Sequence, residues 1–171
     1  MKRLAVPVVS AMVLVAVAIL PIAATPHVHY RTFGTANVTE GPDGTFTIQV
    51  GAGQYGGVYL NSRSNSGKPI GAVTFSFRGT GNIEGGAPRF SLPIDTGTEV
   101  EYAFIDRANC ANSEWVSTEN SACRVYIGLE SFDNWAAFAD ARPGYRVASG
   151  WIPFIISDVF GTYTVTDIIL R

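Results

Sequence analysis

At 171 residues, 47% apolar and 12% aromatic, the chain has the size for one domain with a proper core and is too apolar for a disordered tail. A formal net charge of −2, with no basic patch, argues against nucleic acid as a partner. Eighteen glycines and nine prolines favour many turns, and therefore many short strands.

The first 24 residues read as an export signal. Met1-Lys2-Arg3 is a short basic start, an apolar run reaches Leu20, Pro21 breaks it, and Ile22-Ala23-Ala24 offers a cleavage site. The rival reading is an uncleaved anchor, because Leu4 to Ala24 is just long enough to span a membrane. Both readings put the rest of the chain outside the cytoplasm, either secreted or on the outer face of the membrane. Only this segment would touch the membrane. Residues 25–38 show no clear period and read as a tether, which leaves 39–171 as the domain.

Glu40 to Gly44 is a turn cluster. Phe46, Ile48 and Val50 then alternate with polar residues, as one half-buried strand would. Gly51 to Gly56 matches a dinucleotide-binding glycine pattern. That chemistry needs a helix N-terminus behind the glycines, and Val58-Tyr59-Leu60 is strand-like, so the expectation is a turn. Val73, Phe75 and Phe77 share the face of another strand. Arg89 to Ile94 is a further strand, with Phe90 and Leu92 inward and Pro93 suggesting a sheet edge.

Glu99 to Gly128 holds two apolar segments with Cys110 and Cys123 at their facing ends and a polar loop between. Val100, Tyr102 and Phe104 are expected on the apolar face, with Glu99 and Glu101 on the solvated one. In an exported chain the two cysteines pair and close the loop. Ser131 to about residue 142 is the best helix in the chain, with Ser131 as cap and Pro143-Gly144 as stop. Tyr145 to Ala148, Ile152 to Ile156 and Tyr163 to Leu170 complete the strand set. The fold expected is all-β, an antiparallel β-sandwich with one short helix. A jelly roll is favoured over an immunoglobulin fold, whose disulfide bridges strands far apart in sequence.

The last strand, Gly161-Thr162-Tyr163-Thr164-Val165-Thr166-Asp167-Ile168-Ile169-Leu170, resembles the closing strand of secreted jelly-roll carbohydrate-binding modules. The resemblance implies a sandwich that binds carbohydrate or cell-envelope glycan. It also implies a structural calcium tying the first strand to the last, with Glu40, Asp43 and Asp167 as candidate ligands.

Catalytic patterns are sparse. No histidine follows His29, so a Ser-His-Asp relay is not expected, and no zinc-protease, P-loop or nucleophile-elbow motif occurs. Glu99 and Glu101 are the one close carboxylate pair, about 7 Å apart if they share a strand. Aromatics make the better case, because an exposed ring can lie against the apolar face of a sugar while polar neighbours orient its hydroxyls. Trp115, set among Asn112, Glu114 and Ser117, leads the candidates, with Tyr55 and Trp151 beside it. The sequence points to an exported, non-enzymatic binding module for carbohydrate or cell-envelope glycan. The alternatives are a secreted glycoside hydrolase working through a carboxylate pair, and a structural or protein-interaction surface domain.

Overall fold

The computed structural model describes residues 29–61, 63–82, 84–111 and 113–171. The proposed signal segment and Asn112 lie outside them. Strands make up 49% of the described residues, among which the one α-helix is seven residues long, so the fold is all-β. In chain order the elements are β1 (His29–Gly34), β2 (Asn37–Glu40), β3 (Phe46–Val50), β4 (Gly56–Asn61), β5 (Phe75–Gly81), β6 (Arg89–Asp95) and β7 (Val100–Asp106). They continue as β8 (Trp115–Ser117), β9 (Val125–Ile127), β10 (Glu130–Phe132), α1 (Trp135–Ala141), β11 (Arg146–Val147), β12 (Phe154–Ser157) and β13 (Gly161–Leu170). Strand β1 and the start of β2 therefore lie inside the stretch expected to be a tether.

Two antiparallel sheets form a sandwich. The larger runs β1-β4-β12-β6-β7-β9-β10, with β11 also on β6, and the smaller runs β2-β3-β13-β5-β8. The pairing is nested: β3 joins β13, β4 joins β12, β5 joins β8 and β6 joins β7. Alternation decides which side chains fill the space between the sheets. Phe46, Ile48 and Val50 of β3 and Phe75 and Phe77 of β5 point inward, as do Phe90, Leu92 and Ile94 of β6 and Tyr163 and Val165 of β13. Each such side chain contributes about 1.5–3 kcal/mol through burial. Gly51 to Tyr55 is a turn, and strand β4 follows it with no helix.

Four expectations need correction. Pro93 sits on an interior strand, not an edge. Its carbonyl accepts from the Ala148 N–H, so its nitrogen faces the same side, where β12 has ended and β11 has barely begun. The missing donor falls in a gap in the ladder. In β7 the faces are reversed: Ala103 and Ile105 are buried in the core, while Tyr102 and Phe104 point outward. Both faces carry apolar residues, so a period of two could not say which one turns inward. The segment between the cysteines is more than a loop, since Trp115–Ser117 crosses to the other sheet and pairs with β5, burying Val116.

The helix also starts later than its sequence pattern suggests. Glu130–Phe132 pairs with β9 through the tight turn at Gly128, whose φ is +53°. The cap is then Asn134, whose side-chain oxygen accepts from the Ala137 N–H at 2.9 Å. From there α1 packs Trp135 and Phe138 against the core, and the Trp135 indole N–H donates to the Ile70 carbonyl at 3.0 Å.

The disulfide between Cys110 and Cys123 is present, and both residues are fully buried. It joins the outgoing and returning legs of the excursion from β7 to β8 and back to β9. The Arg124 N–H donates to the Asn109 carbonyl beside it. No helix among the described residues is long and apolar enough to cross a membrane.

Candidate functional site

The larger sheet is unusual on its outer side. Strand register sets one row at a single level: Arg31 on β1, Tyr59 on β4, Phe154 on β12, Ser91 on β6, Phe104 on β7, Tyr126 on β9 and Ser131 on β10. The inward neighbours of these residues, Val58, Ile155, Phe90, Ile105 and Val125, are wholly buried, so the row faces away from the core. Phe104 and Tyr126 stack with centroids 5.7 Å apart, and the Arg31 guanidinium lies 5.4 Å above the Tyr59 ring. Phe33 stacks on Tyr59 at 4.3 Å. Its ring occupies space that Gly57 leaves open, since a Cβ there would come within 2.9 Å of the Phe33 ring.

Beside Tyr102 on this face stands Trp151, 52% exposed, the two rings edge-to-face at 5.9 Å. It borders a cleft of about 510 Å³. Leu60, Val147, Ala148 and Pro153 supply apolar wall, while Asn61 and Ser66 supply polar groups. The Ser66 hydroxyl donates to that of Ser149 at 3.0 Å, which fixes it at the rim. Apolar walls with a few placed polar groups and one exposed indole make a site of the kind that small neutral ligands use. Burial raises the Tyr102 hydroxyl pKa, and Tyr59 adds to the effect, so the Tyr102 phenol stays a neutral donor.

Along β7, the end away from Tyr102 is charged. The Arg89 guanidinium lies 5.5 Å over the Phe104 ring, 2.9 Å from Asp158 and 3.8 Å from Asp106. Burial pushes the Asp106 carboxyl up to about 6. Arg89 opposes that rise, Asp158 adds to it, and the amide N–H that Asn109 donates at 3.1 Å lowers it. One oxygen of Asp106 is buried without a hydrogen bond.

The residues expected from sequence do not form one site. Trp151 lies on the cleft. Tyr55 is 46% exposed in the β3–β4 turn, where its carbonyl accepts from Thr35 and Ala36. Trp115 is half-buried on β8, at the edge of the other sheet, with exposed Glu114 before it. Ser117 is 1% exposed and its hydroxyl accepts from the Glu119 N–H, so it has little to offer a ligand. Asn112 falls outside the described residues.

The carboxylates are also dispersed. Glu99 is exposed at the β6–β7 turn, and Glu101 lies alongside Gly128 on the face that carries Ala103 and Ile105. Asp167 sits on a bulge of β13 with φ +53°, two-thirds exposed and 3.4 Å from Arg78. Glu40 and Asp43 are exposed before β3. Among the described residues, no three histidine, cysteine, aspartate or glutamate side chains are placed to hold a metal ion.

No family model matches the chain, and no curated protein or solved structure matches it.

Proposed function

We propose that the chain is an exported, non-enzymatic module that binds carbohydrate, such as a cell-envelope glycan, in the cleft beside Trp151. One observation carries the reading: a half-exposed indole on the rim of a cleft with polar groups, continuous with an outward row of aromatic rings. Sugars offer apolar ring faces and hydroxyl edges, and the cleft offers a match for both. The nested strand pairing supports a jelly roll, with β3-β13-β5-β8 facing β4-β12-β6-β7. The buried disulfide suits an oxidising compartment, as does a leading segment with the features of an export signal.

Hydrolysis is the weaker reading. Glycosidases set two carboxylates across open space from the scissile bond. Here a guanidinium stands between Asp106 and Asp158, and Glu101 folds back along Gly128.

The test is tryptophan fluorescence during titration with soluble glycans, alongside a glycan array and an insoluble-polysaccharide pulldown. Binding should quench or shift the emission, and Trp151→Ala should remove both signal and binding while the circular dichroism spectrum stays unchanged. Empty results from all three screens would reject the reading, and binding that survives Trp151→Ala would move the site to Trp115 or Tyr55.

A further inference from the structure

The outer face of the larger sheet reaches well past the cleft. From Trp151 the rings run without a break. Tyr102 lies 5.9 Å from Trp151, Phe154 lies 5.4 Å from Tyr102, Tyr59 lies 6.1 Å from Phe154, and Phe33 lies 4.3 Å from Tyr59. The path crosses from β7 to β1. The strand between β7 and β12, β6, contributes only Ser91 and Pro93 to this part of the face, and both are buried, so no bulky side chain interrupts it. With strands about 4.8 Å apart, five strands carry the path over roughly 19 Å, several times the width of one ring.

Two physical features bear on what would lie there. The rings brace one another edge-to-face, with interplanar angles of 78° for Tyr102–Trp151 and 84° for Tyr59–Phe154. A ligand therefore need not order them, which matters when each ring contact is weak. None of the five rings, nor Ser91 or Pro93 between them, carries a charge, and the charged groups stand beside the path. Arg89 is paired with Asp158 and Asp106, while Arg31 lies over Tyr59 and keeps its charge. A polyanion would find one guanidinium at the Tyr59 end and no charge along the rest of the path, whereas an uncharged chain needs none.

Resting on the glycan reading above, we propose that this path is an extended subsite for a linear, uncharged polysaccharide. The chain lies across the strands, with one end at the Trp151 cleft and the other at Phe33. The ligand is then a chain and not a single sugar, and affinity comes from adding weak ring contacts along its length.

Titration of the full mature chain with glucose and with linear β-glucan and N-acetylglucosamine oligomers of increasing length tests this. Affinity should rise at least about tenfold from the monosaccharide to the longest oligomer, a gain of about 1.4 kcal/mol. Tyr59→Ala, far from the cleft, should lower affinity for long oligomers severalfold and leave that for the monosaccharide unchanged. Tyr59→Leu keeps the apolar cover and serves if the alanine variant does not fold. Equal affinity at every length, or an equal loss at every length in the variants, would overturn the extended subsite while leaving the cleft reading intact. No binding of any sugar would overturn both. A dimer dissolved by Tyr59→Ala, with no dependence on chain length, would give the face to a second copy and overturn the proposal.

Discussion

Asp106 sets two effects against each other, and replacing it with asparagine should show which wins. Burial favours the neutral carboxyl, while the guanidinium of Arg89 favours the charged one. Burial prevails, and the carboxyl titrates near 6 instead of its ordinary 3.8. The side chain is 15% exposed, so solvent screens it little. At about 1.4 kcal/mol per unit, the rise corresponds to roughly 3 kcal/mol at most. The folded protein holds a proton that the unfolded chain has released in this interval, so the contribution is present in full below about pH 4. It is lost as the pH climbs through about 6 and stays constant above. Asp106→Asn removes the titration but keeps an oxygen to accept from Asn109. Urea unfolding of both proteins across this range gives the difference, in which other carboxylates cancel. Wild type minus variant should fall by up to about 3 kcal/mol between pH 4 and 7. A flat difference, or one that rises with pH, would mean that Arg89 dominates and would refute the reasoning.

Reducing the disulfide, or replacing both cysteines by serine, should cost about 3 kcal/mol, because the bond closes a loop between residues 13 apart. A melting temperature indifferent to reductant would remove it as a stabilising element. Trp135→Phe removes the indole donor from the Ile70 carbonyl, which keeps the Val73 N–H, and should destabilise by about 0.5–1.5 kcal/mol in chemical denaturation, while an unchanged midpoint would show that the bond is dispensable. A chelator should leave the melting temperature where it was, since the Asp167 carboxylate is two-thirds exposed and paired with Arg78. A drop in its presence, or a copurifying metal, would return Glu40, Asp43 and Asp167 to consideration as ligands.

Much of the sandwich was legible because its strands carry one polar and one apolar face. Phe46, Ile48 and Val50 read directly as core, and so did Val73, Phe75 and Phe77. The disulfide was legible from cysteine number and spacing. β7 misled because Tyr102 and Phe104 are as apolar as Ala103 and Ile105, and only packing distinguishes the two faces. The outer aromatic row was hidden for another reason. Its members run from Arg31 to Phe154 on strands distant in sequence, and no local window holds more than two of them. Register alone aligns them. Trp151 could be flagged because Ser149-Gly150 marks a turn, where a large ring has little core to enter. Trp115 carried a similar local signal, yet pairing with β5 draws its segment into the smaller sheet.

The centre of the smaller sheet is also the latest of its strands in sequence: β13 lies between β3 and β5, pairing residues 161–165 with one and residues 163–166 and 169–170 with the other. During synthesis β3 and β5 therefore emerge long before the strand that joins them, and the core between the sheets stays open until Leu170 arrives. Contacts of such sequence separation make folding slow and leave little cooperative structure to form early. A nascent chain of this kind stays unlocked until β13 appears, and the closing of its core waits on that one strand.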